Sequence, residues 1–139
     1  PMLCDELVIK TAGAIAGAKG LRLVILSKNA LYRPYKNMVQ WAGPEEFVSY
    51  FAGASHVVTS SFHGTGFSII FRKKFLSVVE SGTRNLRVES LLRKMGLENR
   101  LSDGSDLSSI ALPLDNDKIG MALDGLRQEA VDFLKASMS

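Results

Sequence analysis

The chain has 139 residues, is 46% hydrophobic and 22% charged, and carries a formal net charge of +3 at pH 7. That is one domain's length of chain with enough apolar residues to build a core, which excludes a disordered tail. The basic residues are too dispersed for the dense stripe of a nucleic-acid binder and suit a small anionic ligand better.

The start, PMLCDELVIK, has neither the basic flank nor the apolar segment of a secretory signal. Pro1 stands where a methionine is expected, so either an initiator was removed or the chain is a piece of a longer one. Cys4 is the single cysteine, which excludes an internal disulfide and suits a reducing, cytoplasmic compartment. No apolar run approaches the ~18 residues of a membrane span. Leu3, Leu7, Val8, Thr11, Ile15 and Ala18 recur at helical spacing, and Lys19-Gly20 closes that helix. LRLVILS, 21 to 27, is nearly continuous in apolar residues and predicts a strand covered on both faces. Residues 28 to 43 read as a loop around Pro34, with a short strand near Met38 to Trp41.

Pro44, Glu45 and Glu46 open the next helix, with Phe47, Val48, Tyr50 and Phe51 on its buried face. SHVVTS, 55 to 60, is a strand; GTGFSIIFR, 64 to 72, a helix; FLSVVE, 75 to 80, a strand. Leu86, Leu91, Leu92 and Met95 mark a helix that ends at Gly96, and 97 to 116 is rich in turn residues. Asp115 is placed to cap a last helix, with Ile119, Leu123, Leu126, Ala130, Phe133 and Leu134 on one face. Alternating strands and helices predict a single Rossmann-like α/β domain, a parallel sheet between two helical layers.

In open α/β sheets ligands bind beyond the carboxyl ends of the strands. Residues 59 to 66, TSSFHGTG, lie at such an end and lead into a helix N-terminus. Helix N–H groups there carry partial positive charge. Gly64 and Gly66 permit close approach, and Thr59, Ser60, Ser61 and Thr65 add hydroxyls. The pattern predicts an anion cradle for which phosphate is the natural occupant. It is neither a Walker loop nor a dinucleotide fingerprint, since it lacks the glycine-lysine pair of the one and the third glycine of the other. His63 at this turn has the chemistry to move a proton near neutral pH. His56, at a strand start, reads as structural.

Two segments, GPEEFVSYFAGASHVVTSSFHGTGFSIIFRKKFLSVVE (43 to 80) and RVESLLRKMGLENRL (87 to 101), closely resemble the signature region of the polysaccharide pyruvyl transferases. The resemblance implies a GT-B-like architecture of two Rossmann-like halves, this chain being the C-terminal half of a two-domain parent. It implies transfer of a pyruvyl group from phosphoenolpyruvate to two sugar hydroxyls of a surface polysaccharide, as a ketal, with no need for a metal or redox cofactor. The expected partners are phosphoenolpyruvate, a sugar acceptor and the other half of the chain. His63 matches the family's motif histidine and would be the general acid/base. Ser60, Ser61, Gly64 and Thr65 would form the anion cradle around it, with Phe62 among the substrate-binding residues. Arg87 would meet carboxylate or phosphate, with Arg84 and Arg100 as further cations and Glu80 near the sugar. The resemblance departs at Ser61, where many relatives carry an arginine. A nucleotide-sugar glycosyltransferase half, with Glu80 on a ribose, and a non-catalytic glycan-binding module are the competing expectations. A receiver-like domain fits less well, because the strand ending at Ser27 and Lys28 lacks the acidic cluster that such domains need.

Overall fold

The structure, a computed structural model, describes residues 4–27, 38–40, 43–80, 82 and 84–138. Its elements run α1 (Cys4–Lys19), β1 (Ile25–Ser27), β2 (Met38–Gln40), α2 (Pro44–Gly53), β3 (His56–Thr59), α3 (Phe62–Ile70), β4 (Lys74–Val78), α4 (Leu86–Met95), β5 (Leu101–Ser102) and α5 (Asn116–Met138). Two short 3-10 turns, Glu98–Arg100 and Ser108–Ala111, flank β5. Strands β3, β4 and β5 form a parallel sheet in that order, with Thr59 beside Ser77 and Val78 beside Ser102. β1 and β2 form a separate parallel pair, so among the described residues the sheet is in two pieces rather than one. The loop expected over 28–37, Leu3, Trp41 and the side chains of Phe133 and Leu134 lie outside the described residues.

The period of two along β4 assigns its faces. Phe75 points into a cluster with Ile69 of α3, Val88, Leu92 and Met95 of α4, Leu97, and Ile119 of α5. Leu76 points the other way, against Ile15 of α1 and Ile110. Both side chains are fully buried. Each such residue contributes about 1.5–3 kcal/mol of transfer free energy. The result is an α/β domain with helices on both faces of a parallel sheet, the layering expected from the alternating elements. α2 joins through aromatic packing of Phe47 and Phe51 onto Phe67, ring centroids 5.8 Å apart in both pairs.

A buried polar seam locks α3 to the sheet. The Thr65 hydroxyl donates to the Ser61 carbonyl at 2.9 Å and pairs with the Ser77 hydroxyl at 2.7 Å. Ser68 donates to the Gly64 carbonyl at 2.7 Å. Thr65, Ser68 and Ser77 are all completely shielded from solvent, and each finds a partner, as buried polar groups must.

Several boundaries move. α3 starts at Phe62, two residues before the expected Gly64, because Ser61 acts as its N-cap. β1 begins at Ile25 rather than residue 21, and β4 ends at Val78, leaving Val79 and Glu80 beyond the strand. β5 arises inside the stretch read as turns, and its two residues are too few to show a period.

Candidate functional site

The carboxyl ends of β3 and β4 lie side by side, and each strand feeds a helix whose N-terminus returns to the same edge. At the first junction Thr59 and Ser61 build the cap. The Ser61 amide donates to Thr59 Oγ1 at 3.1 Å, and the Gly64 amide donates to Ser61 Oγ at 2.9 Å. The Thr65 amide bonds the Ser61 carbonyl at 3.0 Å. Among the described residues nothing accepts from the amides of Phe62 and His63, so these two donors remain at the tip of α3. A Cβ on Gly64 would collide with Thr59 Oγ1 and lie 2.9 Å from Ser61 Oγ. The glycine is what lets the helix start so close to the strand. Gly66 faces open space, with nothing within 4 Å of a Cβ, so close approach is not its reason.

At the second junction Asn85 caps α4 by accepting from the Val88 amide at 3.3 Å. Its Nδ2 donates to the Ser60 carbonyl, also at 3.3 Å, so one side chain ties the two helix starts together. Between them lies an open cleft of about 580 Å³, lined by Ser60, Val78, Val79, Glu80, Arg84, Asn85, Leu86 and Arg87. Arg84, from an exposed position, donates through Nη2 to Glu89 Oε1 at 3.4 Å, while its Nε stands 3.4 Å from Oε2 without hydrogen-bond geometry, so the pair is long and loose. Arg87 has no carboxylate partner among the described residues. Its guanidinium lies over the Phe62 ring, 4.4 Å from the centroid. The ring of Phe62 meets that of His63 edge-on at 5.8 Å. His63 itself is exposed on the first turn of α3.

The structure therefore brings together Ser60, Glu80, Arg84 and Arg87 in one cleft. It sets Ser61, Phe62 and His63 on the adjoining tip, joined to the cleft through Phe62 and Arg87. It does not bring Thr65 or Arg100 to this edge. The Thr65 hydroxyl is spent on the seam inside the core. Arg100 is buried, and its guanidinium donates to the carbonyls of Ser109 at 2.6 Å and Leu112 at 2.5 Å. Burial pulls it below the usual arginine value. It pins the turn after β5 instead of facing a ligand. Gly64 is buried and gives its amide to the cap, so its part is to admit the backbone. Asn85 was the residue that reading along the chain passed over. Its local signal, an asparagine just before a helical period, marks a cap; the bond to Ser60 has no local signal.

A family model described as polysaccharide pyruvyl transferase matches residues 3–82, more than half of the chain. The chain belongs to the polysaccharide pyruvyl transferase family. The match takes in β3, the SSFHG turn and α3, and it reaches back through α1 to residue 3. It stops short of Arg84, Asn85 and Arg87, so the far wall of the cleft rests on geometry and on the resemblance of residues 87 to 101. No curated protein and no solved structure matches this pyruvyl transferase family member. Among the described residues no group of three or more histidine, cysteine or acidic side chains is placed to hold a metal ion. No helix among the described residues is long and apolar enough to cross a membrane.

Proposed function

We propose that this chain transfers a pyruvyl group from phosphoenolpyruvate to two hydroxyls of a sugar in a surface polysaccharide, forming a cyclic ketal. The observation that carries the reading is the meeting of two helix N-termini and two guanidinium groups at one sheet edge, in a chain of the polysaccharide pyruvyl transferase family. A donor with a phosphate and a carboxylate needs two anion sites a short distance apart. The cleft supplies the start of α4 with Arg84 and Arg87, and the tip of α3 supplies two amides. Arg87 takes the duty that an arginine at position 61 performs in many relatives, since its guanidinium lies over the ring of Phe62, the residue that follows position 61.

The reaction balances without a redox partner. Two acceptor oxygens bond to C2 of the donor and the C2–O bond to phosphate breaks. One hydroxyl proton ends on C3, which becomes a methyl group, and the other leaves with phosphate. His63 is the group at this edge suited to relay those protons, from the first turn of α3. Glu80 lines the same cleft and is assigned to the acceptor sugar. The acceptor approaches from the open side, where a second Rossmann-like half of a GT-B arrangement would stand.

The test is donor binding and turnover with the full-length protein. Phosphoenolpyruvate should shift amide resonances at 59–64 and 84–88, while a UDP-sugar should leave them in place. His63→Ala should lower kcat by about 10²–10⁴ with donor binding retained. Response to the UDP-sugar alone, or full turnover in His63→Ala, would overturn the reading.

A further inference from the structure

The tip of α3 and the tip of α4 belong to different elements, with Ser60 before the one and Asn85 before the other 25 residues apart in sequence, yet the proposed chemistry needs them fixed relative to one another. Core packing reaches the first turns through Phe62 and Val88, but it holds them from the apolar side alone, and the outer side of both tips is open. Leu86, the first residue of α4, is 65% exposed, and Ser61, His63, Arg84 and Arg87 are exposed as well. Among the described residues a polar link between the two tips is the bond from Asn85 Nδ2 to the Ser60 carbonyl, 3.3 Å. The opposite end of the same amide caps α4 through the Val88 amide, 3.3 Å.

We propose that Asn85 is a positioning residue: its side chain latches the turn bearing His63 to the helix start bearing Arg87, and so sets the proton-relaying group against the anion cradle. The assignment rests on the function proposed above. It follows from the chemistry of an amide. The Val88 amide requires an acceptor and the Ser60 carbonyl requires a donor, and a side chain of this length must offer both. Serine and aspartate each supply the capping acceptor. Aspartate has no proton to give. Serine's single oxygen, one bond nearer the backbone, cannot serve both places. Loss of the latch lets the two tips drift while α4 stays capped. A drift on the order of 1 Å in a reacting group costs up to about a hundredfold in rate.

Asn85→Ser separates this role from general support of the fold, with Asn85→Asp as the second variant. In the full-length protein, Asn85→Ser should keep the thermal midpoint of the parent and the exchange protection of the α4 amides. It should speed hydrogen exchange at residues 61–64 and lower kcat at least tenfold, with the KM for phosphoenolpyruvate within threefold. Asn85→Asp should lose kcat in the same way and raise that KM, because its charge opposes an anion. Unchanged exchange at 61–64 in Asn85→Ser overturns the latch, as does a loss of kcat that only parallels a lowered midpoint. If the parent itself fails to turn over phosphoenolpyruvate, the donor reading falls. The latch is then decided by exchange alone: faster at 61–64 with α4 unaltered supports it, and no difference removes it.

Discussion

Adding one methyl group at Gly64 should damage this protein far more than the same change two residues on. A Cβ there would overlap Thr59 Oγ1, lie 2.9 Å from Ser61 Oγ and 3.0 Å from Thr59 Cβ. Thr59 is β-branched, ends a strand and has little rotamer freedom with which to retreat. Both oxygens are also in use, as acceptors for the Ser61 and Gly64 amides. Displacing them removes a helix cap, about 1 kcal/mol, and a second hydrogen bond, about 1 kcal/mol. Forcing a methyl group into a filled site adds roughly 1–3 kcal/mol of strain. Alanine's better helix propensity returns about 1 kcal/mol. Gly64→Ala is thus expected to destabilise by about 2–4 kcal/mol. At ~3 °C per kcal/mol for a chain of this size the midpoint falls by roughly 6–12 °C. Gly66→Ala, with nothing within 4 Å of its Cβ, gains the propensity term without the collision and should stabilise by up to about 1 kcal/mol. Urea unfolding of both variants measures the difference. A Thr59→Ala background should make Gly64→Ala at least ~1 kcal/mol less costly, because the two sites share the contact. Equal stability of Gly64→Ala and Gly66→Ala would refute this account of the turn.

Arg100→Leu should lower stability by roughly 2–5 kcal/mol, since it strands the buried carbonyls of Ser109 and Leu112. Phosphoenolpyruvate affinity per folded molecule should be unchanged, and a loss of affinity with stability intact would put Arg100 back at the ligand. Burial first, then Lys19 and Lys74, hold His56 below the ordinary histidine value of 6.5. The unfolded chain therefore takes up this proton before the folded one does. The His56 contribution to stability is accordingly full above that value and declines as pH falls below it towards the folded value. The urea midpoint should drop between pH 7.5 and 5.5, and His56→Asn should flatten the drop. Asp103 and Asp106 are held below the usual carboxylate value by Ser105 and Ser108, so their effect enters only at lower pH.

The order of elements and the strand-to-helix edge at 59–66 were legible because each rests on local chemistry. Val57 and Val58 read as strand, and glycine with short hydroxyls reads as a tight helix start. What escaped was tertiary. Thr65 looks like a ligand hydroxyl when its neighbours are Ser61 and His63. Its helical register with the buried Ser68 and Ile69 instead turns it towards β4. Arg100 resembles any scattered cation until the 3-10 turns fold two carbonyls onto it. The pairing of Asn85 with Ser60 spans 25 residues and leaves no trace in spacing. The cleft itself exists only once β3 and β4 are aligned.

Charge distribution carries the same lesson further. Arg72, Lys73 and Lys74 form the densest basic cluster of the chain, yet the first two serve helix ends at the far side of the domain. Arg72, at a left-handed φ of 56°, donates to the carbonyls of Ile69 and Ile70 at the end of α3. Lys73 reaches the Ala52 carbonyl at the end of α2, 2.8 Å away. These cations answer the negative poles of the helices. In a parallel sheet with helical crossovers the positive poles all emerge at the opposite edge, where Arg84 and Arg87 stand. The field that would draw a doubly anionic donor to this cleft thus comes from the alignment of α3 and α4, reinforced by two side chains, and not from the net charge of +3. Neutralising Arg72 should cost stability and leave donor binding intact, whereas neutralising Arg87 should do the reverse. Binding isotherms and unfolding curves on those two variants, taken together, decide whether the domain is polarised in this way.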